Sequence, residues 1–200
     1  ETDGFLRIGG LTREADLEES ALVRSRYPLL YETCKVIADP LVRNLATIGG
    51  NLCNASPSAE TAPALLALDA QAEIHGKAGT RLVKLSDFFL GPGTTVLDNA
   101  EMLTRLKIPL TRNRQGSVYY KLSARKAMDL AFVGVAILLE LNGDDRISKA
   151  RIALDVGADA EHRRTGSGKS GAGRGGDLHA IAEEPQPLAV DRECDEVPTM

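Results

Sequence analysis

The spacing of apolar residues changes near residue 70, and this change limits the fold more than any other feature of the sequence. Before it, apolar residues recur at helical spacing, which predicts helices over 11–25, 28–37 and 59–68, with Thr12 and Ser58 as caps. After it, short apolar runs predict strands over 70–75, 81–85, 104–110, 118–122, 131–141 and 146–154. Helices followed by strands predict an α+β fold.

The composition excludes several classes of protein. A net charge of -4 gives no electrostatic reason to expect nucleic acid or an acidic membrane as a partner. The three cysteines form no C-x-x-C pair, so we expect a reducing, cytoplasmic location rather than a disulfide framework. The longest apolar run, over 131–141, is too short for a transmembrane segment, and no signal peptide is visible.

A pair of glycines lies in the segment over 45–54, which we predict to be a loop. Gly49 and Gly50 lack Cβ atoms, so the backbone can approach a ligand and direct several N–H groups toward one anion. Thr47 adds a hydroxyl, and Asn51 can fix the loop or donate a hydrogen bond. The glycine pair alone is equally consistent with a structural turn.

Several other residues and segments could have a function, but each is better explained without one. His75, His162 and His179 are dispersed, so no metal site is predicted. The segment over 165–170 resembles the end of a Walker A loop but lacks its first glycine and a preceding strand. Cys53 is expected to be a small buried side chain rather than a reactive thiol. No catalytic residue is predicted.

Five ordered blocks resemble the FAD-binding (medium) subunit of the molybdenum hydroxylase family. This family includes the medium subunit of carbon monoxide dehydrogenase and the FAD domain of xanthine dehydrogenase. The blocks are RNLATIGGNLCNASP over 43–57, FFLGPGTTVL over 88–97, EML over 101–103, KIP over 107–109 and YKLSARKAMDLAFVGVA over 120–136. The resemblance implies the second subdomain of a PCMH-type FAD-binding domain, followed by the start of a CO-dehydrogenase-flavoprotein-like C-terminal α+β domain.

The resemblance also implies roles for individual residues. The segment from Thr47 to Asn51 would hold the FAD pyrophosphate, and Glu60 stands where the family usually has Asp. The full set of implied cofactor-binding residues is Ile37, Ala38, Thr47, Ile48, Gly49, Gly50, Asn51, Glu60, Leu103 and Lys121.

The sequence departs from the family pattern at both ends. The first phosphate loop, A-G-G-x-[ST]-[DE]-L, is expected before residue 1, so we interpret the chain as N-terminally truncated. Residues 157–177 contain no Val, Ile, Leu, Met, Phe or Tyr, and codons shifted by one base can restore family-like sequence there. We therefore predict an FAD-binding domain over 1–110, the start of a C-terminal domain over 115–154, and a frameshifted, disordered tail over 155–200.

The function implied by the resemblance is electron transfer. FAD on this subunit would pass electrons from iron–sulfur clusters to an acceptor such as a quinone or NAD. The expected partners are a molybdopterin-containing large subunit and a 2Fe–2S small subunit, which alone would carry molybdopterin and iron–sulfur clusters. The alternative is a cofactor-free fragment that at most docks to partner proteins, because both ends of the family pattern are altered.

Overall fold

The computed structural model describes residues 3–111, 114–125, 128–156 and 179–181. Six helices lie in the first part of the chain: α1 (Glu14–Glu19), α2 (Ala21–Arg26), α3 (Pro28–Lys35), α4 (Pro40–Arg43), α5 (Ile48–Asn54) and α6 (Thr61–Ala67). No helix in these described ranges is long and apolar enough to cross a membrane.

The first sheet is antiparallel and contains four strands in the order β1-β6-β2-β3. These strands are β1 (Phe5–Gly9), β2 (Gln71–Gly76), β3 (Gly79–Lys84) and β6 (Met102–Pro109). Between β3 and β6 lie a 3₁₀ turn (Leu85–Asp87) and a small ribbon of β4 (Phe89–Gly91) and β5 (Thr94–Thr95). Alternate residues on one face are buried, namely Leu6, Ile8, Ala72, Ile74, Leu106 and Ile108. This alternation follows from the two-residue period of a strand.

The second sheet has the order β10-β9-β8-β7 and is also antiparallel. Its strands are β7 (Gln115–Leu122), β8 (Val133–Leu141), β9 (Ile147–Val156) and β10 (His179–Ile181). One face packs on α3 and α6, so the helices connect it to the rest of the core. The opposite face exposes Val118, Tyr120, Leu122 and Ile152.

Most predicted elements are present, but three differ in detail. The predicted helix over 11–25 is two helices, because Ser20 is extended and its side chain caps α2 by accepting from the Val23 N–H. Neither Thr12 nor Ser58 is a cap, since Arg13 precedes α1 and Glu60 precedes α6. The predicted loop over 45–54 contains α5, whose two glycines did not prevent helix formation.

The α+β class is confirmed by the six helices and the two antiparallel sheets. The predicted boundaries at 110, 115 and 154 stay predictions. The strand β9 continues to Val156, and residues 179–181 pair with it inside the predicted tail. The segment over 157–177, predicted to lack packing, and the Walker-like motif lie outside the described residues.

Candidate cofactor-binding site

Thr47 is the N-cap of α5, and this explains why a helix begins at that point. Its backbone is extended, with φ -114° and ψ 149°, and its Oγ1 accepts a hydrogen bond of 3.1 Å from the N–H of Gly50. The N–H of Ile48 donates to the carbonyl oxygen of Thr12 at 3.0 Å. The first turn of α5 is therefore already hydrogen-bonded within the chain, which reduces the backbone donors available to an anion.

Gly49 is buried because it packs against the backbone that follows β1. Its N–H donates to the carbonyl oxygen of Gly10 at 2.9 Å, and a Cβ on Gly49 would lie 2.5 Å from that oxygen. Gly10 also has no room for a side chain, since a Cβ there would lie 2.6 Å from the carbonyl oxygen of Leu103. The expected convergence of N–H groups on a ligand is thus replaced by close packing of α5 against β1 and β6. Leu103 itself is buried.

The open part of this segment consists of Thr47, Gly50 and Asn51. Gly50 is exposed, and the other two are half-buried. The side-chain oxygen of Asn51 accepts a 2.5 Å hydrogen bond from the hydroxyl of Thr61. This leaves the amide N–H₂ of Asn51 and the hydroxyl proton of Thr47 without an acceptor in the described part of the chain. Two side-chain donors therefore flank an exposed glycine.

A buried ion pair lies at the start of α6. The Nζ of Lys121 on β7 donates to Glu60 Oε1 at 2.9 Å, and the two side chains are only 9% and 7% exposed. The same Nζ donates to the carbonyl oxygens of Val36 at 3.0 Å and Asp129 at 2.7 Å. Since an ammonium group has three donors, Lys121 uses all of them inside the chain.

The turn Val36–Ala38 after α3 is held from three directions. The carbonyl oxygen of Val36 accepts from Lys121 Nζ at 3.0 Å, and that of Ile37 accepts from Arg43 Nη1 at 2.6 Å. The carbonyl oxygen of Ala38 accepts from the Met128 N–H at 3.4 Å. Its last residue has φ +40°, a conformation that an alanine rarely adopts. The contacts to β7 and to the segment after it tie this turn to the second sheet.

Asp155 on β9 was not identified from the sequence, yet it is fully buried close to Glu60. Its Oδ2 accepts from the Tyr119 hydroxyl at 3.3 Å, and its Oδ1 has no partner in the described ranges. The pKa of Asp155 is raised to about 6, first by burial and also by Glu60, while the backbone N–H of Gly134 acts to lower it. Burial also raises the pKa of Tyr119. Gly134 has no room for a side chain, because a Cβ there would overlap the Asp155 carboxylate.

Glu14 at the start of α1 is the second buried carboxylate that sequence reasoning missed. It is fully buried, and neither carboxylate oxygen has a hydrogen-bond partner among the described residues. The helical spacing of Glu14 and the buried Leu17 places both on one face of α1, and that spacing was the available signal.

The remaining candidates are the histidines and Cys53. The described ranges contain no cluster of His, Cys, Asp and Glu suited to a metal ion, and His162 lies outside them. Cys53 is half-buried, and burial raises the pKa of its thiol, which does not favour a reactive thiolate. His75 is exposed and lies 3.0 Å from the Thr80 hydroxyl.

Residues 1–111 match the family model described as the FAD binding domain in molybdopterin dehydrogenase. The chain belongs to this family. Residues 118–182 match a second model, described as the CO dehydrogenase flavoprotein C-terminal domain. These two matches confirm the resemblance inferred from the five sequence blocks, and they cover both sheets of the structure.

Similar proteins include FAD-binding and medium subunits. The chain is 37% identical over 157 residues to the xanthine dehydrogenase FAD-binding subunit of Escherichia coli O157:H7, covering 78% of this chain and 53% of that one. It is 38% identical over 159 residues to the carbon monoxide dehydrogenase medium chain of Hydrogenophaga pseudoflava, covering 80% and 55%. The reconstituted CO dehydrogenase from Oligotropha carboxidovorans superposes with a TM-score of 0.74 at 31% identity, covering 78% and 54%. The chain thus spans about half the length of the relatives it matches.

Proposed function

We propose that this chain is part of the FAD-binding electron-transfer subunit of a molybdenum hydroxylase complex. Its relatives include an FAD-binding subunit and a medium chain of dehydrogenases, which supports this function. The structural observation that carries the proposal is the open surface formed by Thr47, Gly50 and Asn51, where two side-chain donors flank an exposed glycine.

The residues of this surface fit one side of a pyrophosphate. A Cβ built on Gly50 meets only Thr47 Oγ1, at 2.9 Å, so the space above the glycine is otherwise open. The Thr47 hydroxyl and the Asn51 amide can each donate one hydrogen bond to a phosphate oxygen. Ile48, Gly49 and Leu103 are buried, so their role in this proposal is to position α5 rather than to contact the cofactor.

The remaining predicted residues form a second group around the turn Val36–Ala38. In this proposal Ile37 and Ala38 lie near the cofactor, while Glu60 and Lys121 hold the turn in place. FAD, when bound, supplies the electron-transfer chemistry, and the chain supplies binding and orientation.

The wider assembly is also part of the proposal. We place the chain in the cytoplasm with a molybdopterin-containing large subunit and a 2Fe–2S small subunit. The name "medium chain" of two relatives supports only the presence of a larger and a smaller chain. In this assembly FAD passes electrons from the iron–sulfur clusters to an acceptor.

A titration with FAD tests the proposal, using flavin fluorescence and absorbance as readouts. We expect residues 1–200 to bind weakly, because this surface offers only two side-chain donors beside Gly50, and we expect a chain extended by the phosphate loop that the resemblance implies to bind tightly. Each charge-assisted hydrogen bond that is lost weakens binding by about 1.5–3 kcal/mol. In the extended chain, Gly50→Val should abolish binding, because a branched side chain fills the open space.

Gly116→Val is the matched control. Gly116 lies on β7, and a Cβ there has no atom within 4 Å in the described structure. It should therefore leave FAD affinity unchanged. Equal affinity of the Gly50→Val and Gly116→Val proteins would show that the segment over 47–51 is only a structural turn. A colourless extended chain would instead favour the cofactor-free docking alternative.

A further inference from the structure

Among the described residues, Glu14 is an ionisable side chain in a buried site that provides its carboxylate with no hydrogen bond. A fully buried carboxylate normally has hydrogen-bond partners, but both oxygens of Glu14 lack them in the described ranges. Its backbone N–H, by contrast, donates to the carbonyl oxygen of Ala46 at 3.0 Å, so the start of α1 is firmly placed. The carboxylate is therefore held in a site that does not satisfy its charged form.

Ionisable groups face Glu14 from each packed element with which it interacts. Cys34 comes from α3, Arg43 from the end of α4, and Glu60 from the start of α6. On its own helix, Glu18 pairs with Arg43 at 2.8 Å. Arg43 attracts an ionised Glu14, and Glu60 repels it.

The two charged neighbours of Glu14 both determine the position of the turn Val36–Ala38. Arg43 donates to the carbonyl oxygen of the second residue at 2.6 Å. Glu60 pairs with Lys121, which donates to the carbonyl oxygen of the first residue at 3.0 Å. The turn contains a left-handed alanine, a conformation that persists only when surrounding contacts impose it.

The charge of Glu14 changes the electrostatic interactions of Arg43 and Glu60, the two residues that act on the turn. When Glu14 is neutral, the cluster contains two cations and two carboxylates in two separate pairs, Arg43–Glu18 and Lys121–Glu60. When it is ionised, a third carboxylate competes with Glu18 for Arg43 and repels Glu60. Both changes weaken the hydrogen bonds that hold the turn.

We propose that Glu14 is a protonation switch, whose neutral form holds the turn Val36–Ala38 in place and whose ionised form loosens it. The pKa of Glu14 is raised to about 7, first by burial and then by Glu60, while Arg43 acts to lower it. The change in the turn therefore falls near neutral pH. An effect of the switch on FAD rests on the proposed function, because it requires the turn to lie beside the cofactor.

Nuclear magnetic resonance of the labelled chain tests the switch without any cofactor. The Glu14 carboxyl carbon and the backbone amides of the turn are followed from pH about 5 to about 9, a range that includes the titration. We expect one common midpoint near 7 in the unmodified chain and in Glu19→Gln, a control at an exposed position of the same helix. Glu14→Gln should lose this transition in the turn, and Glu14→Met serves if the first variant does not fold.

Two results would overturn the proposal. One is a Glu14 carboxyl that titrates while the amides of the turn do not move. The other is a transition in the turn that persists in both Glu14 variants. FAD titration of the extended chain then tests the link to the cofactor, with affinity expected to fall above pH about 7 only when Glu14 is present. Absence of FAD binding at every pH would contradict the proposed function and not the switch.

Discussion

Removal of the Lys121 ammonium should strongly destabilise the fold, because it leaves Glu60 buried without its cation. The pair is 2.9 Å long, and both side chains are at least nine-tenths buried. Breaking such a pair by removing one partner lowers the free energy of unfolding by about 3–5 kcal/mol. Lys121→Met keeps most of the aliphatic length, so packing changes little and the electrostatic effect dominates.

A double-mutant cycle separates the buried charge from the other losses. Glu60→Gln with Lys121→Met removes both charges, so we expect the double variant to be more stable than Lys121→Met by about 1–3 kcal/mol. The assay is urea unfolding followed by circular dichroism, because the chain contains no Trp. Arg81→Met is the control, since it breaks the exposed pair with Glu101 and should change the midpoint little.

The reasoning fails if Lys121→Met lowers the free energy of unfolding by less than about 1 kcal/mol, the size typical of an exposed pair. It also fails if Glu60→Gln brings no recovery in the Lys121→Met background. In either case, Glu60 would not be an uncompensated buried charge in the variant, and the pair would have little effect on the turn that it contacts.

Four further substitutions probe the glycines and the helix cap. Gly49→Ala places a methyl group 2.5 Å from the oxygen that its own N–H contacts, so the urea midpoint should fall more than for Gly50→Ala, whose Cβ meets only a side chain. Equal midpoints would contradict the packing role of Gly49. Thr47→Ala removes the cap of α5 and should lower the free energy of unfolding by about 1 kcal/mol, measured by the same unfolding. Gly134→Ala forces a methyl group against the Asp155 carboxylate and should lower the melting temperature by circular dichroism, whereas an unchanged value would show that the carboxylate moves freely.

Local patterns predicted most of the elements, since the alternation of apolar residues along a strand depends on neighbouring residues. The break at Ser20 was missed because a single serine inside a helical pattern does not by itself predict a boundary. The helix α5 was missed because glycine has low helix propensity, and its packing against Gly10, far away in sequence, outweighs that propensity.

The candidate site could be predicted only in part, and for a similar reason. Thr47 and Asn51 were predicted from one continuous motif and Lys121 from the resemblance, and their roles stay predictions. Glu14 and Asp155 belong to α1 and β9, and their proximity to Glu60 depends on how those elements pack. The helical spacing of Glu14 and Leu17 indicates a shared face of α1, but neighbouring residues alone do not show which distant groups will surround a carboxylate on that face.

The ion pair between Glu60 and Lys121 also affects how this family can exchange parts. The two family matches divide the chain after residue 111, yet one residue of the pair lies on each side of that division. A chimera that joins the first part of this chain to the second part of a relative keeps Glu60 but takes the residue that faces it from the other parent. Where the parents differ in the length of the acidic side chain, the hybrid pairs a carboxylate with an ammonium group at a distance that neither parent has. Substitutions at positions 60 and 121 should therefore be inherited as a unit.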